Sequence, residues 1–79
     1  MGTPATFRQR VAAEIRAEMA RQKRTGVQLA EVLQCSQQSV SRRLAEGQGL
    51  DLDELPLIAE WLGIDVLDLI APGRERVSA

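Results

Sequence analysis

From Thr25 to Gly47 the chain reads TGVQLAEVLQCSQQSVSRRLAEG, and its apolar positions recur at helical spacing. Val27, Leu29, Ala30 and Leu33 lie along one face of a short helix, and Val40 and Leu44, one turn apart, lie along a face of another. Gln34-Cys35-Ser36 separates them, with Ser36 placed to cap the second helix by accepting a hydrogen bond from a free backbone N–H. The stretch therefore predicts two short helices joined by a tight turn, each with an inward side.

The flanks read as supports for this pair. Thr6 is placed to cap a long first helix in which Phe7, Val11, Ile15 and Met19 recur every fourth residue with Ala12 beside them, a core stripe. After the pair, Glu46-Gly47-Gln48-Gly49 reads as a loop, with Gly47 a left-handed helix stop. A fourth helix places Leu55, Ile58, Ala59 and Leu62 on one side and ends at Gly63. Asp51 with Glu54 makes a capping box for it, but Pro56 then removes a needed N–H; Asp53 as cap puts Pro56 where no N–H is required, and is preferred. Asp65 and Asp68 open a fifth helix, Val66 to Ile70, in which Val66, Leu69 and Ile70 turn inward and Leu67 does not. The expectation is an all-α, five-helix domain over residues 6–71, with a flexible leader at 1–5 and a polar tail at 72–79 after the Pro72-Gly73 stop.

On the second helix of the pair, Gln38, Ser41, Arg42 and Ala45 point away from Val40 and Leu44, with Gln37 at the leading end. Amides pair with adenine edges, Arg with guanine and Ser with either, so the exposed face suits the major groove of DNA. The small residues permit close approach.

These residues resemble the Cro and repressor-type helix-turn-helix family of phage and bacterial transcriptional regulators. The likeness runs through T-G-V-Q-L-A, the turn before Ser36, Q-Q-S-V-S-R-R-L and D-L-D-E-L-P-L-I-A-E-W-L-G-I-D-V-L-D-L-I, about Ile15 to Ile70. Within the family, S-R-R-L followed by Gly and D-x-D-E-L looks most like small regulators of actinobacterial hosts and their phages. The resemblance implies a lambda-repressor-like fold, with base reading by Gln37, Gln38, Ser41 and Arg42 and phosphate contacts from Arg24, Thr25, Gln28, Ser39 and Arg43. It implies an operator duplex as partner, occluded to other proteins; because one such helix covers only about four to six base pairs, a homodimer at least on DNA is expected. Two positions depart from the family's pattern. Gly26 stands where Gln is usual, leaving Gln28 or backbone N–H groups to meet phosphate, and Gln34 stands where the turn usually has Gly, which demands a left-handed backbone or a remodelled turn.

Charge and composition sharpen this. The net charge is −1, yet Met1 to Glu46 carries eight basic and four acidic residues (+4), while Gly47 to Ala79 carries two basic and seven acidic (−5). That asymmetry fits a basic side toward phosphate and an acidic side away from it. Arg10, Arg21 and Arg24 oppose the core stripe of the first helix, and Arg24 adjoins Thr25. In 79 residues without His, with a single Cys and no paired carboxylates, neither an enzyme, a metal site nor a cofactor or small-molecule ligand is expected. Cys35 is read as core, between Leu33 and Val40. Lacking any long apolar run, the chain is expected in the cytoplasm, that of a bacterial host if phage-encoded, with no membrane contact. Trp61 sits in an acidic helix between Glu60 and Leu62, without the several aromatics interleaved with basic residues of a nucleic-acid stacking platform, which argues for packing or a protein interface. Leu57, Trp61 and Leu67, left over by the core pattern, are the expected dimer contact. Competing readings are a protein-binding module, such as an antirepressor or antitoxin-like partner, and a DNA-bending recombination directionality factor; Arg42, Arg43 and the Q-Q-S face weigh against the first, because a DNA mimic makes that face acidic.

Overall fold

The computed structural model describes residues 6–71; the expected leader and tail lie outside them. The described chain forms five α-helices and no strand: α1 (Phe7–Gln22), α2 (Gly26–Leu33), α3 (Gln37–Glu46), α4 (Glu54–Leu62) and α5 (Val66–Ile70). Side-chain caps set four of the five starts. Thr6 accepts from the Gln9 N–H and Gln9 returns a bond to the Thr6 N–H; Thr25 and Gln28 do the same for α2, and Asp65 and Asp68 share the opening of α5. Ser36 Oγ accepts from the Ser39 N–H at 3.1 Å, so α3 begins where the sequence placed it.

The start of α4 is different. Asp53 occupies the cap position, as expected, but adopts a helical backbone and makes no capping bond. The Glu54 N–H instead reaches Asp51 O at 3.0 Å and the Leu55 N–H reaches Leu52 O at 3.3 Å, a preceding turn that satisfies donors a cap would otherwise serve. Pro56 then falls in the first turn of α4, where its missing N–H leaves nothing unsatisfied.

Helices α1, α2 and α4 each end in a residue with a left-handed backbone, and only the last of these is glycine: Lys23, Gln34 and Gly63. At each, the next N–H returns to the final turn: Arg24 to Met19 O, Cys35 to Ala30 O and Ile64 to Ala59 O, at 2.9 to 3.0 Å. The turn between α2 and α3 thus keeps its geometry without glycine, and Gln34 (φ 54°, ψ 49°) carries the backbone cost. Replacing Gln34 with Gly is expected to raise stability by about 0.5–1 kcal/mol, relief of the left-handed strain partly offset by a looser unfolded chain. Chemical denaturation decides it, and an unchanged or lower midpoint would show that the strain in the turn does not exceed the freedom a glycine adds to the unfolded chain.

Helix α1 packs against α3, α4 and α5, while α2 bridges α3 and α4. The shared core holds Val11, Ile15 and Met19 of α1, Leu29 of α2, Val40 of α3, Leu55, Ile58 and Leu62 of α4, and Leu69 of α5. A fully buried side chain of this kind contributes about 1.5–3 kcal/mol, which is how so small a core opposes chain entropy.

Three expectations about that core change. Phe7 is 48 % exposed: residues four apart on a 3.6-residue helix drift by about 40° each, so the stripe has rotated away by the first turn. Val27 is 47 % exposed, because it lies off the edge of the Leu29–Leu33–Ala30 face of α2. Cys35 and Leu44 border the core half-buried rather than filling it. Leu67 is exposed while Leu69 is buried, as the pattern of α5 required.

Candidate nucleic-acid interface

Helix α3 is fixed by its inward side. Val40, 1 % exposed, enters the core from the middle of the helix, and Ser36 and Gly47 close its ends. Arg16 of α1 donates to the carbonyl oxygen of Leu44, satisfying an acceptor in the last turn of α3 with a cation where the helix dipole is negative.

Arg43 acts as a strut. Its Nη2 meets Glu54 Oε2 at 3.0 Å, its Nε donates to Gly49 O at 3.1 Å, and its Nη1 donates to Ser39 Oγ at 2.6 Å and contacts Cys35 Sγ at 3.0 Å. One guanidinium thereby joins α3, the turn before it, the loop after it and the start of α4. Both partners of the Arg43–Glu54 pair are mostly withdrawn from solvent, so Arg43 is poorly placed for the phosphate contact expected of it. Ser39 is likewise half-buried and engaged with Arg43.

The outward side of α3 is otherwise. Gln37, Gln38, Ser41, Arg42 and Ala45 are all exposed and, with Glu46, line one shallow concavity. Gln37, Gln38, Ser41 and Arg42 make no side-chain hydrogen bond or ion pair to the described residues, in contrast to Arg16, Arg21, Arg24 and Arg43, all of which are engaged. The four expected base-reading residues are therefore brought together on a rigid helix with their donors and acceptors unspent.

The expected phosphate contacts divide. Thr25 and Gln28 lie exposed at the N-terminus of α2, where free N–H groups and the positive dipole end favour an anion. Gln28 Oε1 is taken by the Thr25 N–H at 2.9 Å, which leaves its amide N–H₂ to donate. Gly26 beside them packs its Cα side toward Val40, a Cβ there standing 3.6 Å from Val40 Cγ1. Arg24 turns elsewhere: its guanidinium lies 4.7 Å from the centre of the Trp61 ring, and its Nε donates to Gln22 Oε1 at 2.9 Å.

Gln22 in turn donates to Leu62 O at 2.7 Å and to Glu18 Oε1 at 3.0 Å, tying the end of α1 to the end of α4. The bonds from Gln22 and Arg21 hold the Glu18 carboxyl below the ordinary carboxylate range; what that contributes is present at neutral pH and is lost as pH falls through the lowered value. Trp61 is half-buried under Arg24, whereas Leu57 and Leu67 are open to solvent, so the three expected dimer residues do not share one environment.

Sequence reasoning missed Arg16, Gln22 and the inward turn of Arg43. Arg16 and Gln22 reach carbonyl oxygens on other helices and Arg43 reaches groups in the flanking turn, loop and helix, and periodicity carries no signal for such pairings. Among the described residues no helix is long and apolar enough to cross a membrane. Compared with known proteins, this chain matches no family model, no curated protein and no solved structure.

Proposed function

We propose that the protein is a sequence-specific double-stranded DNA-binding regulator of the Cro and repressor type, which sets α3 into the major groove and occludes an operator. The observation that carries this reading is the set of unspent polar groups on one face of α3, Gln37, Gln38, Ser41 and Arg42, on a helix whose other side is locked by Val40 and Arg43. A preorganised helix loses little freedom on binding, and amide, hydroxyl and guanidinium groups match base edges. Thr25, Gln28 and the N-terminus of α2 meet one phosphate flank. A helix of this length covers only a few base pairs, so two copies on neighbouring half-sites supply the discrimination of an operator.

The test is selection of bound sites from randomised duplexes, followed by a comparison of two adjacent arginines. Arg42→Ala is expected to cost about 1–3 kcal/mol on the selected site, to relax preference at one base pair and to leave the melting temperature unchanged. Arg43→Ala is expected to cost about 1–3 kcal/mol of folding stability instead, since it strands Glu54 and removes four contacts. Equal loss on selected and random duplexes in the Arg42 variant would remove its base-reading role. A selection that enriches no duplex would replace this reading with that of a protein-binding module.

A further inference from the structure

We propose that the groove between the first turn of α1 and the segment leading into α4 is a self-association surface that takes a second copy of this chain about a two-fold axis. The inference deepens the DNA-binding reading, which calls for two copies, but its own evidence is independent of DNA.

The groove is floored by Val11, Leu50 and Leu55 and walled by Phe7 and Leu52. Leu52 is 78 % exposed, the most exposed large apolar side chain described, and Phe7 is 48 % exposed across from it. Among the described residues nothing covers this outward Leu, although Leu50 is partly buried and Leu55 almost fully buried on either side of it. Solvent exposure of two such residues together is costly unless a partner covers them.

Charge identifies the occupant. Arg8 lines one side of the groove and Asp51 and Asp53 the other, and none of these three side chains forms an ion pair with the described residues. Asp53 stands at the start of α4 with its carboxylate unused for capping. A surface with an apolar centre, a cation on one rim and carboxylates on the other is complementary to itself: a two-fold axis sets Arg8 of each copy against Asp51 and Asp53 of the other and Leu52 of each beside Phe7 of the other. The patch of Leu57, Trp61 and Leu67 lacks this property, since the adjoining Glu60 and Asp65 are acidic and Arg24 is held over Trp61. Because stable interfaces bury about 1,200–2,000 Å² and two apolar side chains per copy cover less, the dissociation constant is expected on the order of 0.1 mM.

Sedimentation equilibrium without DNA tests this on the full chain and on two charge reversals, Arg8→Glu and the double variant Asp51→Lys with Asp53→Lys. Each variant alone sets like charges together and is expected to weaken self-association about tenfold or more. Mixed in equal amounts they restore both contacts, and association is expected to return to within about threefold of the original. Thermal melts of each variant at low concentration separate loss of association from loss of folding. A chain that stays monomeric to millimolar concentration, variants that fail to recover on mixing, or association lost only in Leu57→Ser and Leu67→Ser would each overturn the proposal; the first is the result expected if residues 1–5 of the same chain cover the groove. Dimerisation with no duplex enriched in selection would sink the DNA reading and leave this one standing.

Discussion

Val40→Asp is expected to leave the domain unfolded at room temperature. Val40 is 1 % exposed at the centre of α3, enclosed by core residues of the other helices, with no cation arranged to meet a carboxylate. A carboxylate buried there must either stay charged without a partner or take up a proton far above its usual range, and the cost is about 4 kcal/mol or more. A domain of this size has a total stability of only roughly 3–10 kcal/mol, at about 0.05–0.15 kcal/mol per residue. Ser41→Asp, one position along and exposed, is the control: it is expected to melt within a few degrees of the parent, roughly ±0.5 kcal/mol, and, on the proposed DNA-binding reading, to lose affinity because it sets an anion into the groove where Ser41 meets base edges. Leu44→Asp should fall between them, since Leu44 borders the core half-buried and its replacement has a path to solvent. Circular dichroism melts of the three read the order directly. A cooperative melt for Val40→Asp near that of the parent would mean that α3 turns a different side inward.

Gly47→Ala is expected to cost about 2–4 kcal/mol, which for a domain of this length lowers the melting temperature by roughly 10–25 °C. Two effects add. The φ of +76° at Gly47 lies in the left-handed region, which charges any residue with a Cβ roughly 1–2 kcal/mol. The new Cβ would also stand 2.5 Å from the backbone carbonyl oxygen of Arg8, a group with no rotamer to escape into, so α1 and the end of α3 must part. Gly63→Ala isolates the first effect, because Gly63 has φ +72° and open space where its Cβ would go. The difference between the two melts measures the contact of Gly47 with α1. Equal losses in both variants would show that conformation alone sets the cost at Gly47.

What the residues determined by themselves was local. Helical periodicity, capping side chains and glycine or proline punctuation act within about one turn of chain, and so the five helices and the caps at Thr6, Ser36 and Asp65 were legible, whereas Asp53 stands at the start of α4 without capping it. The outward set Gln37, Gln38, Ser41 and Arg42 was legible for the same reason: a helix whose inward side is marked by Val40 has its outward side fixed by geometry. The proposed DNA-binding reading gives those four residues a role, but it could not say where neighbouring cations point. Tertiary structure alone decided that Arg43 reaches back to Glu54 and that Arg24 lies on Trp61. It also decided that Gly47 is required by contact with Arg8 and not only by its own backbone angle. In each case the partner lies outside the residue's own helix, and the direction of a long side chain depends on which acceptor, ring or carbonyl the fold brings within its reach.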